Sequence, residues 1–179
     1  MRLPNWLFIQ RTALFLYLAA GVLLLIYALG FISNVYIFYA YGGRGLVDFY
    51  HKMQEINDSL LWKAIFTIIF TVILFLLELG KHPAGIVTFI VTVVIAGVSV
   101  FFCVDSIIMI ANARSVYSEL DLASLNRYIE RGAIRYEYST LTYDLGLGGY
   151  ILFLLSSLFM AITVIRNALT VRAEKGAGA

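Results

Sequence analysis

Of the 179 residues in this chain, 61% are hydrophobic and only 13% are charged, whereas about a quarter of the residues in a soluble domain are charged. A chain with so few charges cannot cover its own surface in water, so we expect much of that surface to face lipid. Its 13 lysines and arginines are nearly balanced by 11 acids, which gives no basic patch for nucleic acid.

Four stretches could cross a bilayer, because each has about 20 mostly apolar residues, the length that spans the hydrocarbon as a helix. They are residues 12–32, 60–79, 84–104 and 145–165, and the third is expected to continue as helix to about residue 112. The third stretch is rich in β-branched residues, yet lipid requires each backbone group to be bonded within its own segment, so helix is predicted over strand. The sequence therefore predicts an all-α integral membrane protein, with residues 1–179 forming one four-span domain.

The first stretch follows Arg2 and Arg11 and has a weak resemblance to a signal-peptide cleavage site at residues 18–21. The apolar run is longer than a usual signal core and continues past that site. We therefore expect an uncleaved first span.

Residues 33–59 form the first outer segment. A glycine-rich break at 42–45 is followed by apolar residues at helical spacing. These are Leu46, Phe49, Tyr50, Met53, Ile56 and Leu60. The spacing predicts an amphipathic helix that runs into the second span and packs on the membrane surface or on the other outer segment.

The third stretch carries small side chains spaced three or four residues apart. They are Gly85, Thr88, Thr92, Ala96, Ser99, Cys103 and Ser106. Helices in lipid associate through close packing, so a stripe of small residues predicts a contact face, which we call the packing seam. The alternative is a hydroxyl-lined conduit. The fourth span has small residues that could receive the seam, among them Gly146, Gly149, Ser156 and Ser157.

Asp105 is the most interior acid of the spans, at the outer end of the third stretch. Counted from Pro83 it lies roughly 33 Å along the helix, near the outer interface. Lys63 lies at a similar height on the second span, with Arg114 as another candidate partner. We expect Asp105 and Lys63 to form an interfacial ion pair that fixes helix register, and the alternative is a proton-relay carboxylate.

Residues 113–144 form the second outer segment. A short helical pattern that ends near Gly132 is followed by alternation at Ile134, Tyr136 and Tyr138, which could be extended. We expect the two outer segments to form a small cap. Its tyrosines are typical of an aromatic belt, although Tyr128, Tyr136 and Tyr138 could also form a binding surface for a sugar, peptide or lipid.

Orientation follows from the positive charges beside the span ends. Arg2, Arg11, Lys81, Arg166, Arg172 and Lys175 all lie in short segments on the side of the termini. The basic residues of the opposite side are diluted through two long segments rich in acids. We therefore expect both termini in the cytoplasm and the protein in the plasma or inner membrane.

No catalytic, metal or cofactor constellation is recognisable. Cys103 is the only cysteine, which excludes an intrachain disulfide and a cysteine-rich metal site. His51 and His82 are expected on opposite sides of the membrane. Because hydrolase, nucleotide-binding and zinc-protease motifs are also missing, we expect no enzyme, no metal site and no cofactor.

These features favour an accessory or structural subunit of a larger membrane complex, with the bilayer and another membrane protein or further copies of itself as partners. Two alternatives remain open at this stage. One is a channel or small-solute carrier assembled from several copies, with Thr88, Thr92 and Ser99 lining a path. The other is an outer-face binding module for a sugar, peptide or lipid.

Overall fold

Four long α-helices make up nearly all of the residues that the computed structural model describes, which are 6–38, 44–79, 85–120 and 139–177. The helices are α1 (Trp6–Phe38), α2 (Arg44–Leu79), α3 (Ile86–Glu119) and α4 (Leu141–Ala177). Each contains 33 to 37 residues, which corresponds to about 50–55 Å. Because the described ranges contain no strand, the predicted all-α class is confirmed for them.

Every helix includes a stretch long and apolar enough to cross a membrane. These stretches are Phe8–Gly30, His51–Leu77, Ile86–Glu119 and Leu141–Thr170. Each of the four predicted spans overlaps one of them, so the number and order of the long apolar helices are as predicted.

All four helices extend further than the apolar runs indicated, and α1 runs from Trp6 to Phe38 where residues 12–32 were predicted. The amphipathic segment before residue 60 is the beginning of α2, α3 continues past residue 112 to Glu119, and α4 begins at Leu141. The physical reason is that the inward-facing positions keep their helical spacing beyond the apolar runs, as Met53 and Ile56 do in α2 and Ala113 and Tyr117 do in α3. The predicted short helix and extended stretch lie largely in residues 121–138, outside the described residues.

The helices form an antiparallel bundle. α1 packs on α2 and α4, and α3 packs on the same two helices, with the contact between α2 and α3 the least extensive. We call the end where α1 ends and α2 begins the loop end, and the end where α1 begins and α4 ends the termini end. At the loop end the Tyr117 ring lies 6.2 Å from Phe49 and 5.3 Å from Tyr143, centroid to centroid.

The beginning of α4 is stabilised by hydrogen bonds between neighbouring residues. The Leu141 backbone N–H donates to Ser139 Oγ over 3.2 Å, and Thr140 Oγ1 donates to the Asp144 carboxylate over 2.9 Å. An acid in the first turn also suits the positive end of the helix dipole. These contacts stabilise the first turn of α4 locally.

Candidate functional site

The packing seam of α3 lies in the interior of the bundle. Thr88, Thr92, Ala96, Ser99, Cys103 and Ser106 are buried, and Gly85, at the N-cap, is half-buried. The buried face continues beyond the predicted stripe through Ile110, Ala113 and Tyr117. These three were missed because they are not all small, although their spacing of three or four residues continues the same pattern.

The small residues of α4 do not all meet the seam. A Cβ atom on Gly146 would overlap the Tyr27 ring of α1, and one on Gly149 would lie 3.4 Å from Leu24, also on α1. The expectation that these two glycines receive α3 is therefore wrong: they allow α1 to approach α4. Ser156 and Ser157 are buried as expected.

Most interior hydroxyls are bonded to the backbone of their own helix. Thr92 Oγ1 donates to Thr88 O over 2.7 Å, and Ser99 Oγ donates to Ile95 O over 2.8 Å. The same pattern recurs on α2 and α4, at Thr67, Thr71, Ser156, Ser157 and Thr163. A hydroxyl that already donates to a carbonyl one turn earlier is not free to donate to a passing solute.

One side chain crosses the bundle along its diagonal. Tyr17 on α1 lies 2.7 Å, oxygen to oxygen, from Ser99 on α3. Because the Ser99 proton is directed at Ile95 O, the Tyr17 hydroxyl is the donor. The Tyr17 ring also packs on Phe153 of α4, with centroids 5.2 Å apart. Tyr17 thus fills the bundle axis and links three helices.

The structure joins the two charges that the sequence paired, Lys63 on α2 and Asp105 on α3. Lys63 Nζ donates to Asp105 Oδ2 and also lies 3.9 Å from Met109 Sδ. The lysine side chain is only 10% exposed, whereas that of Asp105 is 35% exposed. The carboxylate therefore faces outward between α2 and α3, and its second oxygen makes no hydrogen bond with the described residues.

The position of this ion pair along the bundle axis follows from contacts between α1 and α2. Gly21 is level with Thr67, because a Cβ on Gly21 would lie 2.8 Å from Thr67 Cγ2. Lys63 is one turn nearer the loop end, which makes it level with Leu25. Leu25 belongs to the apolar stretch Phe8–Gly30 of α1, about 7.5 Å along the helix from Gly30, so the pair lies at a level inside that stretch.

A second ion pair lies nearer the loop end. Arg114 Nε is 2.8 Å from Asp144 Oδ1, and both side chains are 45% exposed. Exposed pairs of this kind stabilise a fold by less than about 1 kcal/mol. Arg114, which the sequence offered as a partner of Asp105, is instead paired with the first turn of α4.

Aromatic rings cover the outside of the bundle where α2 meets α3. We call this the α2–α3 aromatic surface, and it consists of Trp62, Phe66, Phe70, Phe101 and Phe102. Phe70 stacks on Phe102 with centroids 6.3 Å apart, and Phe66 lies 6.5 Å from Phe102. Trp62 and Phe101 are largely exposed, and Phe66 is 43% exposed. Sequence reasoning missed this surface, because which side of each helix faces outward depends on the packing of the others.

The termini end contains a small cavity with mainly apolar walls. Its walls come from all four helices and include Gln10, Thr88, Thr92 and Val164. Its volume of about 10 Å³ accommodates about one water molecule. Gln10, which lines the cavity, accepts a hydrogen bond at Oε1 from Asn167 Nδ2 over 2.6 Å, and this bond joins α1 to α4.

The predicted outer binding surface stays a prediction. Tyr128, Tyr136 and Tyr138 lie outside the described residues, and the ranges that are described contain no group of three or more metal-ligating side chains. The chain matches no family model, and comparisons with curated proteins and with solved structures find no similar protein. The site therefore rests on the geometry of the bundle alone.

Proposed function

We propose that this chain is a multi-pass integral membrane protein that acts as a non-enzymatic accessory or structural subunit of a larger membrane complex. The membrane placement is supported by large apolar side chains exposed around the outside of all four helices. Examples are Phe15, Leu23, Ile69, Leu76, Ile90, Val94, Leu155 and Ile162. The interior instead holds the hydroxyls and amides, a distribution that suits a hydrocarbon surrounding.

The main support for the subunit role is the environment of the Asp105 carboxylate. It lies inside the apolar stretch, is more than a third exposed, and has one oxygen without a hydrogen-bond donor among the described residues. A charged oxygen left in hydrocarbon is costly. The α2–α3 aromatic surface beside it has the ring-rich composition of protein contact sites. A neighbouring membrane protein that supplies a donor would relieve this cost.

The interior gives little support to a conduit through one chain. The hydroxyls of Thr92 and Ser99 are committed to their own helix, and Tyr17 fills the axis at the level of Ser99. The cavity at the termini end has room for about one water molecule. A path for solutes would therefore have to run between copies.

Co-purification tests the subunit role. The tagged chain, extracted in mild detergent, is expected to elute with another membrane protein or with further copies of itself in a fixed ratio, and native mass spectrometry gives the composition. Replacing Phe101 with serine on the α2–α3 aromatic surface is expected to weaken that association several-fold. The matched control is Leu152→Ser on the exposed side of α4, which is expected to leave it intact. A wild-type chain that elutes without any other protein and conducts ions in liposomes would favour the channel.

The proposed orientation has its own test. The basic residues beside the span ends favour termini in the cytoplasm of a cell whose plasma or inner membrane holds the protein. In a Cys103→Ala background, Ala177→Cys is expected to resist an impermeant thiol reagent in intact cells. Glu119→Cys, at the exposed loop end of α3, is expected to react quickly. Fast labelling at 177 with protection at 119 would reverse the orientation.

A further inference from the structure

We infer that the occupant of the α2–α3 aromatic surface is a second copy of this chain, held by two reciprocal hydrogen bonds from Trp62 to Asp105. This inference rests on the proposed membrane placement and names the partner of the same surface. Such a symmetric contact requires that the α2–α3 aromatic surface carry both a hydrogen-bond donor and a hydrogen-bond acceptor at the same depth in the membrane.

The donor is the indole Nε1 of Trp62. Trp62 is 60% exposed, its ring packs 6.3 Å from Phe66, and its N–H makes no hydrogen bond with the described residues. An indole N–H donates and cannot accept. It therefore complements the second oxygen of the Asp105 carboxylate, which accepts and cannot donate.

The donor and the acceptor lie at nearly the same depth. Trp62 is adjacent to Lys63, which is bonded to Asp105, and the stack of Phe70 on Phe102 fixes the register of α2 against α3. Trp62 and Asp105 therefore lie within about one helical turn of each other along the bundle. A two-fold axis parallel to the membrane normal preserves depth, so it can bring Trp62 of each copy opposite Asp105 of the other.

The same symmetry explains why the surface spans two helices. A two-fold axis through the groove between α2 and α3 places α2 of one copy against α3 of its partner, and the reverse. The rings of Phe66 and Phe101, exposed in the single chain, would pack between the copies. α2 and α3 also share the least extensive contact within the bundle, so a second copy would add packing where the chain has least.

Cross-linking in lipid tests the contact. In a Cys103→Ala background, Phe66→Cys is expected to form a disulfide-linked dimer in nanodiscs or liposomes at least tenfold faster than Leu152→Cys. The two positions are similarly exposed, 43% and 50%, and the contacts of Gly21 and Gly149 put them at similar depth on diagonally opposite helices. Equal rates at both positions would mean random collision and would overturn the inference.

A second variant tests the hydrogen bonds themselves. Trp62→Phe keeps an aromatic ring and removes the donor. Interhelical hydrogen bonds in membranes typically change an equilibrium about threefold each, so losing two is expected to raise the dimer dissociation constant about tenfold. An unchanged constant would show that the indole is only an anchor near the headgroups, and the pairing would be wrong. A chain that is monomeric in lipid yet still co-purifies with another protein would overturn this inference and leave the proposed function standing.

Discussion

Replacing Lys63 with methionine is expected to destabilise the bundle by about 3 kcal/mol, the lower end of the range for breaking a buried ion pair. The lysine is almost fully buried and bonded to Asp105. Its removal leaves a carboxylate inside an apolar stretch with no cation beside it. The lower end of the range applies because Asp105 is itself 35% exposed. Chemical unfolding in mixed micelles at low protein concentration measures the change.

The matching control neutralises the partner. Asp105→Asn, added to Lys63→Met, removes the stranded charge while keeping nearly the same shape, so it is expected to recover most of the lost stability. Asp105→Asn alone is expected to be destabilising, because it leaves the Lys63 ammonium unpaired. If the double variant is as unstable as the sum of the two single variants, the charges do not interact and the contact is incidental.

Ala96→Leu is expected to destabilise the bundle by about 1–3 kcal/mol, because overpacking forces side chains or backbones apart. Ala96 is 5% exposed and lies on the seam of α3, about three turns after the helix begins at Ile86. A larger side chain there cannot escape toward either end of the bundle. Val94→Leu, at a position 58% exposed on the same helix, is expected to be nearly neutral. Thermal unfolding in detergent separates the two.

A third variant, Ser99→Asp, distinguishes a tightly packed seam from a water-lined path. Ser99 is fully buried and bonded to Tyr17 and to Ile95, so Ser99→Asp would place a charge in a sealed interior and is expected to prevent folding. A water-lined path would accept the aspartate. Similar unfolding temperatures for Ala96→Leu and Val94→Leu, or a folded Ser99→Asp variant, would contradict the seam.

The four long helices, and the pairing of Lys63 with Asp105, were accessible from sequence for physical reasons. Length and apolar content set where a helix can cross a bilayer. Counting residues along two antiparallel helices then gives the height of each charge, because the rise per residue is constant. The seam of α3 was likewise readable from spacing, since positions three and four apart share a face.

Contacts that depend on how helices are rotated about their axes were not accessible. Gly146 and Gly149 could have received either neighbour of α4, and only the assembled bundle shows that they face α1. The bond from Tyr17 to Ser99 joins helices that do not pack directly on each other, so no pairwise rule predicts it. The α2–α3 aromatic surface depends on the same rotations.

The bonding of interior hydroxyls within their own helices has a consequence for biogenesis. The hydroxyls of Thr67, Thr92 and Ser157 are each bonded within their own helix, so in the proposed membrane placement a single helix can enter lipid before its neighbours arrive. The amide bond between Gln10 and Asn167 is different, because it joins residues 157 positions apart. In the proposed membrane placement, this bond between the first and last helices can form only after the last helix has been synthesised.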